Sequence, residues 1–132
     1  MKKALVISIL SSFFLAQCFY KDYKYKESLA SNFYLMESDM LPSKYVSIEN
    51  QNSGLVIIDD VIELIGNDSE ILIKTKDQQN KITYNLIKVG IVEYPEDVKV
   101  LSAAEFSKKK KTLKSEYSYD ENNGFERYFR LK

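Results

Sequence analysis

The sequence predicts an α+β fold that is mainly β: a small antiparallel, meander-like sheet of about five to seven strands with one helix following it. Three observations carry this expectation. Segments rich in Ile, Val and Tyr recur at short intervals between turn clusters. Several of them alternate apolar and polar residues with a period of two. One four-residue segment, Ser102-Ala103-Ala104-Glu105, has the form of a helix-opening capping box.

Taken in order, residues 33–36 are a brief strand. In 45–49, Val46 and Ile48 fall on one face, as strand geometry requires of residues two apart. Residues 50–54, Asn-Gln-Asn-Ser-Gly, form a turn cluster. The continuous apolar run 55–58 reads as a strand covered on both faces. Asp59-Asp60 breaks that run, which resumes over 61–65 until Gly66-Asn67-Asp68 turns the chain. Residues 71–76 and 81–89 flank the polar stretch 77–80 and pair as a hairpin. In its second arm Ile82, Tyr84 and Leu86 share one face, while Thr83, Asn85 and Ile87 share the other. Pro95-Glu96-Asp97 is a turn, and 98–101 is a short strand.

At the capping box, the Ser102 hydroxyl is placed to accept from the Glu105 amide, and the Glu105 carboxylate to accept from the Ser102 amide. Leu101 and Phe106 occupy the staple positions around it. The helix is expected to run about twelve residues, with Ala103, Phe106, Lys110 and Leu113 on one stripe. That apolar face is narrow, so the helix should lie on the sheet without being engulfed. Lys108 to Lys111 read as a solvated face near the helix C-terminus, where cations complement the dipole. Residues 115–132 are aromatic and charged, and form either an extra hairpin turning at Asn123-Gly124 or a loose tail.

Composition removes several chemistries. The 132 residues include 19 Lys+Arg and 19 Asp+Glu, no His and one Cys. A Ser-His-Asp triad, a Cys-His dyad, an imidazole metal site and an internal disulfide are therefore all excluded. Balanced charge removes any global attraction to nucleic acid, so no nucleic-acid partner is expected.

The first residues read as an address. Lys2 and Lys3 precede an apolar run over 4–16 whose polar members are serines. As a helix this run would span about 20 Å, short of the roughly 30 Å hydrocarbon core and right for a secretory signal. The lone cysteine follows in Leu15-Ala16-Gln17-Cys18, which resembles a bacterial lipobox. Leu15 and Ala16 match that pattern, whereas Gln17 departs from the small residue usual before the cysteine. The resemblance implies that 1–17 is a signal peptide and that Cys18 is lipidated and becomes the first mature residue. The product would be an exported protein anchored in the bacterial cell envelope, at the outer membrane where a cell has two. Two or three acyl chains hold a protein firmly, at about 0.8 kcal/mol per buried methylene. Residues 18–32 are then the lipidated cysteine and a tether, and 33–132 a single β-rich domain. Without Lys2 and Lys3 the chain carries 17 basic and 19 acidic side chains, a net charge of −2.

The stretch 55–113 also resembles a family of small, functionally uncharacterised bacterial lipoproteins. The points of likeness are the Ile-rich run 55–58 leading to Val61 and Ile65-Gly66-Asn67-Asp68, the strand ending in Lys74 and Lys76, the strand 82–88, and the step Leu101-Ser102-Ala103-Ala104-Glu105-Phe106. These are turns, strands and a cap. The likeness implies an envelope address and no particular activity.

Catalytic constellations are sparse. Asp59, Asp60 and Glu63 are the nearest approach to a carboxylate site, but neighbours in a strand point to opposite faces, so Asp59 and Asp60 should not converge. The run 120–124, Asp-Glu-Asn-Asn-Gly, has oxygen ligands but misses calcium-loop spacing by one residue. The four glycines form no phosphate loop, and no serine sits in a nucleophile elbow. The chain is expected not to be an enzyme and to need no cofactor. Its ten tyrosines suit recognition, because each offers a rigid ring with a polar tip. Tyr20, Tyr23 and Tyr25 in the leader, and Tyr117, Tyr119 and Tyr128 in the tail, are the contact residues this reading selects for a protein partner in the envelope. The expected role is non-enzymatic binding or structural support at a membrane. A periplasmic immunity-type inhibitor is the alternative, and a small hydrolase built on the three carboxylates a further one.

Overall fold

The computed structural model describes residues 23–39, 41, 43–50 and 53–128. The expected signal peptide, Cys18 and Tyr20 lie outside these residues. Within them the chain forms β1 (Tyr23–Ser28), β2 (Phe33–Ser38), β3 (Lys44–Asn50), β4 (Ser53–Gly66), β5 (Glu70–Lys76), β6 (Ile82–Lys88), β7 (Lys99–Leu101), α1 (Ala103–Thr112), β8 (Tyr117–Asp120) and β9 (Gly124–Arg127). All nine strands belong to one sheet, in the order β1 to β7, with β8 joined to both β4 and β9. Every pairing is antiparallel. The fold is the expected mainly antiparallel sheet with one helix after the meander, but with nine strands among the described residues in place of the five to seven expected, because β1, β8 and β9 form in stretches read as tether and tail.

The 14-residue strand β4 organises the rest. Asp59-Asp60 does not end it. Instead Asp60 adopts a left-handed backbone, φ +58°, and the register against β3 slips there: Val46 faces Ile58 but Lys44 faces Val61. An extra residue in one strand of an antiparallel pair bends that strand and increases its twist. The polar pair is therefore a bulge within one strand. Val61 pairs with Lys44 on one edge and with Thr75 on the other. Beyond it, β8 takes over the edge that β3 leaves, from Glu63 opposite Asp120 to Gly66 opposite Tyr117.

The bend lets one main core draw on both halves of the sheet. Phe33, Leu35, Val46 and Ile48 from β2 and β3 cluster with Ile71, Ile73 and Ile87 from β5 and β6. Tyr117 and Tyr119 of β8 complete it. The opposite face of the second half forms a smaller cluster of Leu72, Leu86, Leu101 and Phe106. Here α1 docks, with the Phe106 and Tyr84 ring centroids 4.9 Å apart. Strand β5 is thus buried on both faces, Ile71 and Ile73 on one side and Leu72 on the other.

Two of the lysines expected to face solvent instead help hold the helix down. Lys109 Nζ donates to Glu70 Oε2 at 2.7 Å, and Lys110 Nζ donates to Glu63 Oε1. Each pair is partly exposed and contributes at most about 1 kcal/mol, so Phe106 and Leu113 supply most of the docking. The helix is ten residues long, against the twelve or so expected, and ends with Leu113 as its C-cap. The capping box forms: Glu105 N donates to Ser102 Oγ at 3.1 Å, and Ser102 N donates to Glu105 Oε1 at 3.0 Å.

Ser102→Ala is expected to lower stability by about 1 kcal/mol, read from the denaturant midpoint. The bonds from the Ser102 amide and hydroxyl hold the Glu105 carboxyl below its ordinary range. A depressed folded-state value means the contribution is present above the unfolded pKa and is lost as pH falls through the folded one. An NMR titration should place Glu105 below ordinary glutamates in the parent. In Ser102→Ala it should rise part of the way, because the backbone amide still donates.

One boundary changes. The stretch 18–32 is not all tether: residues 23–28 are β1, and Leu29 and Ala30 are only 2% and 3% exposed. The folded domain therefore extends back to Tyr23. The physical reason is that Tyr25 packs on the core while Lys26 pairs outward with Glu49 at 2.5 Å and lies 4.5 Å from the Tyr34 ring. At the other end, the hairpin form of the tail is the one adopted over residues 117–127. Arg127 fastens it to the first strand by donating from Nη2 to the carbonyls of Ser28 and Leu29.

Candidate functional site

The selected tyrosines whose side chains are described, Tyr25, Tyr117, Tyr119 and Tyr128, do not form one surface. Tyr23 opens β1 opposite Ser38. Tyr25 is half-buried against the main core, with the Lys44 ammonium 4.9 Å from its ring. Tyr117 and Tyr119 are interior residues, 0% and 7% exposed, and the contact role fails for them. The strand alternates, so its two rings turn inward while Ser118 and Asp120 turn outward. Tyr128 is exposed, and its hydroxyl lies 2.6 Å from Ser118 Oγ.

Burial leaves a titration signature. It pushes the Tyr25 phenol up to about 12, helped by the negative charges of Glu27 and Glu37. It pushes Tyr117 up further, against the opposing field of Arg127. A phenol whose folded pKa is raised favours folding fully below its unfolded value near 10 and loses that contribution as pH rises through the folded value. Stability should therefore hold to about pH 10 and decline above it. Absorbance at 295 nm should show Tyr25 ionising only at about pH 12, with the interior rings ionising together with the loss of circular dichroism.

The carboxylates are arranged differently from the simple strand expectation. The bulge at Asp60 interrupts alternation, so Asp59 and Asp60 do converge, on Ser43. Its Oγ lies 3.1 Å from Asp59 Oδ1 and 2.9 Å from Asp60 Oδ1. Glu63 does not join them and is held by Lys110. At the β8–β9 turn, Asp120 Oδ1 accepts from the amides of Asn122 and Asn123 at 2.9 and 2.8 Å, and Oδ2 accepts from Asn123 Nδ2 at 3.0 Å. These bonds hold the Asp120 carboxyl below its usual range, the Asn123 side chain contributing most. The carboxylate thereby closes the turn. Among the described residues, no three acidic or cysteine side chains stand as a group able to hold a metal ion.

A further feature among the described residues was not singled out by sequence. A cleft of about 450 Å³ opens where the β1–β2 turn, the β3–β4 hairpin and the loop after β6 meet. Phe33, Ile48 and Val92 form its buried floor. Its rim holds Asn32, Asn50 and the 54% exposed ring of Tyr94. Asn32 Nδ2 donates to Glu49 O at 3.1 Å and to Asn50 Oδ1 at 2.8 Å, which fixes both amides. Gly90 lets the chain turn along one wall with φ +90°, a conformation that side chains rarely adopt. Pro95, with Asp97 accepting from the amides of Glu93 and Tyr94 at 3.1 Å each, sets the Tyr94 backbone. Ile91, three residues before Tyr94, is 69% exposed.

No protein-family model, curated protein or solved structure matches the chain. The class that its own fold defines is an open, mainly antiparallel sheet with one docked helix. Among the described residues no helix is long and apolar enough to cross a membrane.

Proposed function

We propose that this chain is a lipid-anchored envelope protein with a non-enzymatic binding or supporting role. One observation carries the reading: Lys2-Lys3, the apolar run 4–16 and Cys18 stand in the order and spacing of an export signal ending in an acylated cysteine. Chain length supports it. Five residue steps separate Cys18 from Tyr23, a reach of at most about 18 Å. Lipid on Cys18 would keep the sheet within one domain diameter of the bilayer. The cleft at Tyr94 supports the binding role, because it combines an exposed ring with oriented amides on a scaffold of strands.

Metabolic labelling with an alkyne fatty acid tests the anchor. The full-length protein should take up label, fractionate with membranes and lack residues 1–17 by mass. Cys18→Ala should remain unlabelled and leave the membrane fraction. Label retained in Cys18→Ala, or an uncleaved, unlabelled parent in the cytosol, would overturn the proposal.

A further inference from the structure

We infer that the cleft at Tyr94 is a binding site for a neutral oligosaccharide. The argument proceeds from which contacts the cleft can make. Four backbone amides at or beside its rim are already spent. The amides of Glu93 and Tyr94 both donate to Asp97, Phe33 N donates to Ala30 O at 2.9 Å, and Glu49 N donates to Asn32 O at 2.9 Å. An added peptide strand would need such groups unpaired, so strand addition is disfavoured here. An anion would need a cation or an amide nest. Among the described residues the lining holds neither Lys nor Arg, and its one charged member is Glu93.

What remains is a flat phenol ring beside side-chain amides, a hydroxyl and one carboxylate, over an apolar floor. A sugar ring has an apolar face that covers an aromatic ring and a rim of hydroxyls that can donate to carboxylate and amide oxygens such as those of Glu93 and Asn32, the Asn32 Nδ2 hydrogens being already given to Glu49 O and Asn50 Oδ1. The hydrogen bonds from Asn32 Nδ2 to Asn50 Oδ1 and to Glu49 O fix the Asn32 amide before any ligand arrives, which lowers the ordering cost of binding. The volume suits one or two sugar rings, at the small end of the range for ligand pockets.

The placement is consistent with the anchor. Strand β1 starts at Tyr23, opposite Ser38, and ends at Ser28, opposite Tyr34, next to the cleft. Six residues in a strand cover about 17 Å from end to end. If the anchor reading holds, the cleft lies at the end of β1 remote from the lipid. The saccharide inference does not depend on that anchor, since the cleft is built wholly from the folded domain.

Isothermal titration of the purified full-length protein, in a detergent without a sugar head group, tests the inference with chitotriose and maltotriose. Saturable binding of at least one is expected. Tyr94→Ala should weaken it tenfold or more, Tyr94→Phe should retain it within threefold, and Val100→Ala, at an exposed position outside the cleft, should leave it unchanged. Cys18→Ala should bind like the parent whether or not the labelling experiment upholds the anchor. Absence of binding to both sugars overturns the inference. So does binding that survives Tyr94→Ala in a protein whose circular dichroism matches the parent.

Discussion

Tyr117→Ala is expected to cost about 3–5 kcal/mol of folding stability, the range for removing a buried aromatic ring. Tyr117 has no exposed surface. Its hydroxyl donates to Asn67 O at 3.0 Å, and its ring stacks on Phe125 with centroids 6.2 Å apart. The Arg127 guanidinium lies 5.1 Å from the same ring while reaching to Ser28 and Leu29. Truncation would empty the space under β8 and remove the surface on which that guanidinium rests. Small domains are stable by about 5–15 kcal/mol in total, so the variant should stand near its unfolding threshold. Tyr117→Phe should cost only about 1 kcal/mol, since it deletes one hydrogen bond and keeps the ring. Denaturant unfolding checks both, with an unchanged slope showing that the cooperative unit is intact. A loss below about 1 kcal/mol for the alanine variant would mean that the β8–β9 hairpin is not part of that unit.

The same residue shows where sequence reasoning reached and where it stopped. Strands β3, β5 and β6 were legible because Val46 and Ile48, Ile71 and Ile73, and Leu86 and Ile87 are aliphatic residues whose burial needs no partner. Helix α1 was legible because Ser102 and Glu105 satisfy each other locally, without help from the rest of the fold. Tyr25, Tyr117 and Tyr119 were harder. A phenol fits a wet surface and a half-buried strand equally well, and only the fold decides which it meets. Strands β1 and β8 are built around such residues, and that is why the expected tether and tail contain sheet.

Asp59-Asp60 failed for a different reason. Polarity reads as an interruption, whereas a left-handed residue in a bulge bends a strand without ending it. The bend also brings both carboxylates to Ser43, reversing the face assignment that strict alternation implies. The Tyr94 cleft was invisible for a third reason. Its walls come from around residues 32, 50 and 92, segments far apart in the chain that only the folded sheet brings together. Such assembly depends on register, which turn composition alone does not specify.

Gly66→Ala is the second substitution with a large expected effect, because the site has no room for a single methyl group. A Cβ at position 66 would come within 2.7 Å of Tyr117 Oη, 2.9 Å of Tyr117 Cε2 and 2.8 Å of Glu70 O. None of these atoms is a mobile side-chain tip. Tyr117 is pinned by its bond to Asn67, and Glu70 O accepts from Asn67 N at 3.0 Å in the β4–β5 turn. Asn67 in turn accepts at Oδ1 from the amides of Ser69 and Glu70, and donates from Nδ2 to Lys114 O at 3.1 Å. The methyl therefore pushes on a closed set of bonds joining β4, β5, β8 and the segment after α1. Overpacking of this kind typically costs about 1–3 kcal/mol. The opposing benefit of alanine, a stiffer unfolded chain, is only about 0.4–1 kcal/mol. The net loss should be near the upper part of that overpacking range, read as a lowered denaturant midpoint. Adding Tyr117→Phe separates the sources of the clash. It removes the hydroxyl contact but leaves the ring edge and the Glu70 carbonyl in place, so the double variant should recover less than about 0.5 kcal/mol of the coupling. Full recovery would assign the whole clash to the hydroxyl. A neutral or stabilising Gly66→Ala would show that β4 and β8 do not approach as closely in solution as Gly66 opposite Tyr117 requires.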